Sequence, residues 1–380
     1  MKYIDEFRNK ELARILADTI AREADTDREY RLMEFCGGHT HAIFRYGVQE
    51  LMPPNVKFIH GPGCPVCVLP IGRINNAIEL VEQHDVILCT YGDMMRVPAS
   101  RRNSLLKVKA AGGDVRMVWS TQDALKVARD NPDREIVFFA IGFETTTPPT
   151  AVAIEQAAEE KLMNFSVFCN HVLTPAAIRK ILEPVSTPGV DQVAIDGFLG
   201  PSHVSAIIGT RPYESLVKKY RKPVVIAGFE PLDVMQSARM LIRQLNQGRV
   251  EVENEYTRVV TREGNRKAQA LVAKVLELRH NFEWRGLGMV PFSALQIRPE
   301  WSEFDAEQRF PVPEIAASDV RGCECPHILR GVKKPIDCKL FGTVCTPENP
   351  MGSCMVSSEG ACAAYWSYGR FRSGSQETAA

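Results

Sequence analysis

The chain has 380 residues, room for about two or three domains, and its 46 basic and 46 acidic residues leave no formal net charge. That balance argues against a general nucleic-acid binder and against attraction to acidic membranes. A hydrophobic fraction of 45% is ordinary for a globular core, and the longest apolar stretch, residues 136–143, is too short to span a bilayer or support membrane insertion. Charges throughout residues 1–31 argue against a secretory signal. The eleven cysteines therefore read as cytoplasmic thiols, and there clusters of cysteine more often bind metal or do redox chemistry than form structural bridges.

Residues 56–155 read as a first α/β domain. The apolar runs 56–60, 86–90, 115–119 and 136–140 are short and bounded by Gly, Pro, Asp or Ser, the pattern of buried parallel strands. Between them, Ile74, Ala77, Ile78 and Val81 fall at helical spacing, and a helix from Leu105 stops at Gly112–Gly113. Ser120 with Asp123 predicts a capping box. Residues 156–278 repeat this grammar, with strands expected at 165–170, 193–196 and 224–227. A helix then carries Val234, Ala238, Leu241 and Leu245 on one face and ends near Gly248. AIGFETTTP at 140–148 echoes AGFEPLD at 227–233, and HGPGCPV at 60–66 loosely echoes DGFLGPSHV at 196–204, so a duplicated α/β unit is expected. From about residue 280 periodicity fades and Pro, Gly and Cys become frequent. Such a segment buries little apolar surface alone, and a metal centre would compensate.

The motifs follow in chain order. CGGHTH offers Cys36, His39 and His41 within six residues, a thiolate and imidazoles suited to iron, zinc or copper, or else a cysteine turn with surface histidines. GPGCPVC sets Cys64 and Cys67 between a strand and a helix, where a dithiol gains thiolate character from the helix start, in a loop expected to be exposed. YGDMMRVP places Asp93 past a strand end, as a helix cap or an acid–base group. GFETTTP holds Glu144 and three threonines that read as a helix cap, and CNHVLTP places His171 as a core histidine. Cys89 and Cys169 lie within apolar strands and read as core residues.

Near the C-terminus Cys323, Cys338, Cys345 and Cys362 are separated by 14, 6 and 16 residues, with Cys325 and Cys354 left over. Four soft thiolates in Gly/Pro-rich chain suit an iron–sulfur cluster. A four-cysteine zinc staple is the alternative, although the paired C-x2–4-C knuckles usual for zinc are missing. Spacing alone leaves open which four of the six bind metal, and the remaining two form either a redox pair or buried packing thiols.

Taken together, CGGHTH, GPGCPVC, YGDMMRVP, IGFETT and the tail CEC…DCKLFGTVCTPENPMGSCMVSSEGACAAY resemble, over essentially the whole length, the HypD family of nickel–iron hydrogenase maturation factors. The resemblance implies a scaffold on which iron acquires two cyanides and one carbon monoxide, the Fe(CN)2CO cargo. It implies a complex with the HypC chaperone and cyanide supplied by HypE. Carried onto this chain, Cys36 would hold the iron together with a cysteine of HypC, and Cys64 and Cys67 would form a dithiol beside it. Cys323, Cys338, Cys345 and Cys362 would ligate a 4Fe–4S cluster, and Cys325 and Cys354 would pair between cluster and surface. His39, His41 and Asp93 would donate protons or hydrogen bonds to the cyanides. The implied fold is two related Rossmann-like parallel-sheet α/β domains plus a third, iron–sulfur domain built from residues 1–55 and 279–380. The competing classes are an iron–sulfur thiol–disulfide reductase and a zinc-stapled interaction protein.

Overall fold

Short apolar runs closed by turn residues form the strands, and the amphipathic stretches between them form the covering helices. The protein, here a computed structural model, is described over residues 5–183, 193–311, 313, 317 and 319–370. In chain order the strands are β1 (Tyr30–Glu34), β2 (Val56–His60), β3 (Ile87–Thr90), β4 (Val115–Met117), β5 (Ile136–Gly142) and β6 (Phe165–His171). There follow β7 (Gly197–Pro201), β8 (Val224–Ala227), β9 (Val252–Asn254), β10 (Leu276–Trp284) and β11 (Gly288–Ile297).

The architecture is α/β, with two parallel sheets. The first has the order β2-β1-β7-β8-β9 and the second β4-β3-β5-β6. In each, the chain lays down one strand, steps outward to a second, then returns to the far side of the first. This opens a crevice between β1 and β7, and another between β3 and β5, at the carboxyl ends where α/β proteins bind their ligands. All seven residues of β5 and all seven of β6 are buried, as continuous apolar runs require.

Sheet membership departs from chain order. Val56–His60, read as the first strand of a 56–155 unit, pairs instead with β1. Phe165–His171, read into a 156–278 unit, closes the second sheet against β5. Residues 1–55 supply β1, a central strand of the first sheet, and the helix Lys10–Glu23, whose Glu23 takes both guanidinium nitrogens of Arg239. The second sheet is thus inserted into the first. Periodicity reports that a segment is a strand, while pairing is decided by distant partners it does not encode. The strand expected at 193–196 forms one step later, at Gly197–Pro201, because the Asp196 carboxylate accepts the Arg31 N–H and the ladder starts beyond it. The echoed motifs do not mark equivalent positions. AIGFETTTP ends the third strand laid down in its sheet and AGFEPLD the fourth in the other, while HGPGCPV and DGFLGPSHV end two strands of one sheet.

Helix signals hold more closely. Ile74, Ala77, Ile78 and Val81 are buried on the helix Ile71–His84, and Val234, Ala238 and Leu241 on Pro231–Asn246. Ser120 and Asp123 form the capping box of Thr121–Asp130. The antiparallel hairpin β10–β11 lies along β6, where Leu173 donates its N–H to the Ser293 carbonyl at 2.8 Å. Beyond Phe310 the described chain has only short helical turns, such as Cys325–Leu329 and Ala361–Ala364. Its buried Ile328, Leu329, Met355 and Val356 join one apolar cluster with Met33, Phe35, Val66 and Val68 of the first sheet's loops. The segment is therefore packed into the molecule's main core and has no separate core of its own.

Candidate functional site

Cys36 stands two residues past β1, at the crevice beside β7, and N-caps the helix Gly37–Tyr46. Its backbone N–H donates to Glu34 Oε2 at 2.9 Å. Glu34 is fully buried and also takes Thr40 Oγ1 and His60 Nδ1, the latter at 2.9 Å, so one carboxylate fixes the whole entry to the CGGHTH turn. The dithiol loop presses directly on this turn. The Gly37 N–H donates to the Gly63 carbonyl at 3.0 Å, and a Cβ on Gly63 would stand 2.5 Å from the Cys36 nitrogen. Glycine is required there by a backbone-to-backbone approach. Glu359, from the C-terminal segment, covers the other side against Gly37. Burial, reinforced by Glu359 and Glu34, holds the Cys36 thiol well above the ordinary thiol range.

The histidines of the motif point elsewhere. His39 is fully buried, with Nε2 3.1 Å from the Ala227 carbonyl at the end of β8, 3.3 Å from Ser202 Oγ, and Nδ1 without a partner. Its ring lies against Phe229, and burial lowers its basicity. His41 is half-buried, edge-on to Tyr368.

Cys64 N-caps the four-residue helix Pro65–Val68, and Cys67 donates to Cys64 Sγ at 2.7 Å. Contrary to the expected exposed loop with activated thiols, Cys64 and Cys67 are 3% and 0% exposed, and burial drives the Cys67 thiol far upward. So short a helix offers little field to oppose that desolvation. Cys67 in turn meets Cys354, and the Ser353 hydroxyl donates to the Cys67 carbonyl at 2.9 Å. Cys354 lies between Cys325 and Cys67, whose thiols both donate toward it and draw it below the ordinary thiol range. Cys325 meets Cys323. A Cβ on Gly352 would collide with both the Cys325 and Cys323 sulfurs, so this glycine makes the space where the two meet. A line of thiols, Cys64–Cys67–Cys354–Cys325–Cys323, thus runs from beside Cys36 into the C-terminal segment.

Cys323, Cys338, Cys345 and Cys362 stand within one another's electrostatic field, and Cys362 is pushed up by burial and by the other three together with Cys325. Met351 N–H points at Cys345 Sγ from 3.4 Å. Among the described residues no three Cys, His, Asp or Glu side chains gather tightly enough to hold a single metal ion. A single zinc ion needs all its sulfurs about 2.3 Å from one point. Four soft donors within one another's field are of the type that could hold a polynuclear iron–sulfur group or, drawn to one point, a zinc ion.

At the second crevice, Asp93 follows β3 on the turn Gly92–Arg96 and Glu144 follows β5. Asp93 caps no helix, since the N-cap there is Tyr91, and none of Thr145–Thr147 provides a side-chain cap. Thr147 Oγ1 donates instead to the Glu144 carbonyl at 2.9 Å. Glu144 is buried, accepts Thr174 N–H at 2.9 Å and Thr174 Oγ1 at 3.0 Å, and burial pushes its carboxyl up to about 7. His171 is a satisfied core histidine, bonded to Thr150 Oγ1 at 2.9 Å and lowered to about 4 by burial. Cys89 and Cys169 are core residues, pushed by burial to about 12 and about 11. Both crevices face one residue: Glu359 is held above the usual carboxylate range by burial, then by Asp93 and Glu34. Arg96 clamps the same segment through the Pro347 and Val356 carbonyls, each at 3.1 Å.

Sequence reasoning missed Glu34, His60, Arg96 and Glu359. Glu34 carried a signal, an acidic residue directly after the apolar pair Leu32–Met33 and two positions before Cys36. Glu359 carried none, because its meaning comes from a contact across more than 300 residues of chain.

Two parallel sheets with paired switch points, and a buried line of thiols running from beside Cys36 into the C-terminal segment, define an α/β protein. Residues 11–369 match the family described as "HypD: Hydrogenase formation hypA family". The chain is 63% identical over 379 residues to the hydrogenase maturation factor HypD2 of Bradyrhizobium diazoefficiens, covering 100% of each chain. It is 64% identical over 372 residues to the HypD of Cupriavidus necator, covering 98% of each, and 46% identical over 374 residues to that of Escherichia coli, covering 97% of this chain and 98% of that one. The chain belongs to the HypD family. No helix among the described residues is long and apolar enough to cross a membrane.

Proposed function

We propose that this protein is a hydrogenase maturation factor on which the Fe(CN)2CO group is assembled, with HypC as companion and HypE as cyanide donor. The observation that carries this reading is the thiol line between the Cys36 crevice and the C-terminal cysteine set. Cys36 would anchor the iron substrate. Its thiol, held protonated by burial and by Glu359 and Glu34, gives up its proton only as the metal arrives, so iron uptake should strengthen with rising pH. It keeps 8% of its surface exposed, and a HypC cysteine would complete the site there. Cys64 and Cys67, in contact at 2.7 Å, would form a disulfide by exchange with an oxidised Cys325–Cys354 pair: Cys67 would attack Cys354 and release Cys325 as a thiol, then Cys64 would attack Cys67 and release Cys354 as a thiol. Cys323, Cys338, Cys345 and Cys362 would hold a 4Fe–4S cluster, which would supply one-electron chemistry at the C-terminal end of the line.

The burial of both dithiol sulfurs counts against a free-standing reductase, which must offer a sulfur to an outside disulfide. The test is anaerobic purification of the complex with HypC, followed by iron and sulfide analysis and infrared spectroscopy. The expected result is nitrile and carbonyl bands that vanish in Cys36→Ala while sulfide-bound iron persists. Bands of full intensity in Cys36→Ala would overturn the anchor, and stoichiometric zinc without sulfide would overturn the cluster.

A further inference from the structure

A third feature lies behind the dithiol loop, apart from the cysteines. Arg285, in the turn between β10 and β11, is 4% exposed, and its Nε and Nη2 are buried without any hydrogen-bond partner. Its remaining nitrogen reaches Asp319 only at 3.7 Å. A buried guanidinium with two unanswered donors forfeits the hydration of both, and such a group calls for an explanation. It lines a cavity of about 180 Å³ together with Arg101, Arg102, Ser100, Asp319 and Met351. Three arginines thus face Asp319 there, with the Glu283 carboxyl also within the field of Arg285. Arg101 and Arg102 are consecutive residues at φ 56° and 59°, a left-handed pairing that ordinary side chains avoid and that is costly unless something fixes it. Arg102 also lines an adjoining cavity of the same size with Arg96 and Lys107, opposite Glu348.

We propose that this cavity is a binding site for a small oxyanion, held by Arg285 from beneath and by Arg101 and Arg102 from above. Planar guanidinium forks suit the paired oxygens of a phosphate or a carboxylate. The position gives such an anion a role. The Arg285 backbone N–H donates to the Val68 carbonyl, one residue past the dithiol, at 2.8 Å. Met351 precedes the Gly352 on which the Cys323 and Cys325 sulfurs meet. An anion here ties the dithiol helix to the strap that carries Cys354.

The experiment uses the full-length protein, purified anaerobically, with calorimetric titration and thermal unfolding at fixed ionic strength set by potassium chloride. Inorganic phosphate and formate serve as probes, separating a tetrahedral from a planar ligand. The expected result is saturable binding of at least one probe, with a rise in midpoint of about 2 °C or more at 100-fold excess over Kd. Arg101→Gln, at an exposed position, should weaken binding at least tenfold and leave the unliganded midpoint unchanged. Arg285→Met should abolish binding, and Arg101→Gln keeps the test open if that variant fails to fold. Binding indifferent to Arg101→Gln and Arg102→Gln, or no response to either probe beyond that of chloride, would overturn the proposal.

Discussion

The two parallel sheets share a topology and differ in what stands at the crevice. The first presents a thiol, Cys36, braced by the buried Glu34 carboxylate. The second presents carboxyls, Asp93 and the buried Glu144, with no cysteine beyond the core thiols Cys89 and Cys169. One scaffold geometry has been given a soft donor on one side and hard, protonatable groups on the other, and Glu359 stands between them within the field of both. Under the proposed function, the first sheet would anchor the metal and the second would frame it.

Two glycines should break this comparison most severely. An added methyl on Gly63 meets the backbone of Cys36 at 2.5–2.8 Å, where no side chain can swing aside. On Gly142, at φ 145°, it collides with Thr146 and strains the chain as well. Each alanine variant should lose about 3 kcal/mol of stability, measured by urea denaturation. Only Gly63→Ala should also lose iron, because only it displaces Cys36. Equal iron retention in the two folded variants would end the distinction between anchoring and framing sheets.

A smaller effect sharpens the framing side. The Glu144 carboxyl is raised by burial from 4.5 to about 7, so the folded state holds its proton more tightly than the unfolded chain. Its stabilising contribution is complete below pH 4.5 and is lost as pH rises through 7, an interval worth about 3 kcal/mol. Glu144→Gln removes this loss. Relative to the parent protein, the variant should gain about 3 kcal/mol between pH 4.5 and pH 8. His171 titrates in the opposite sense, its contribution falling away as pH drops from 6.5 toward 4, and it cancels in that difference. A flat difference between the two urea midpoints would mean that water reaches Glu144 in solution.

The helices and the α/β class were legible because they rest on local patterns. The Ser120–Asp123 box and the stripe of Val234, Ala238 and Leu241 need only neighbours four residues away. Sheet membership was not legible, since nothing in VKFIH says that it pairs with YRLME and not with ILCT. The cysteines of the site announced themselves by spacing, whereas their order along the thiol line depends on how the strap around Gly352 crosses the dithiol loop. The burial of that loop was misread for the same reason: Gly and Pro signal a turn, and turns are usually exposed, but this one is covered by a segment nearly 300 residues later.

The smallest expected effect tests whether the framing sheet is passive. Each sheet has a helix closed by a capping box: Ser120 with Asp123 on Thr121–Asp130, and Glu230 with Asp233 on Pro231–Asn246. The second is bound into its surroundings, with Glu230 paired to Arg8 and the fully buried Asp233 to Arg258. The first is a local device. Ser120 Oγ accepts the Asp123 N–H at 3.3 Å, and the Asp123 carboxylate takes the Ser120 N–H at 2.9 Å. Ser120→Ala should therefore cost about 1 kcal/mol, and Ser120→Asp should restore most of it. Iron content should not move in either variant. A loss of iron in Ser120→Ala would mean that strain in the second sheet reaches Cys36, and Glu359, which lies within the field of both Asp93 and Glu34, would be the first place to look for the route.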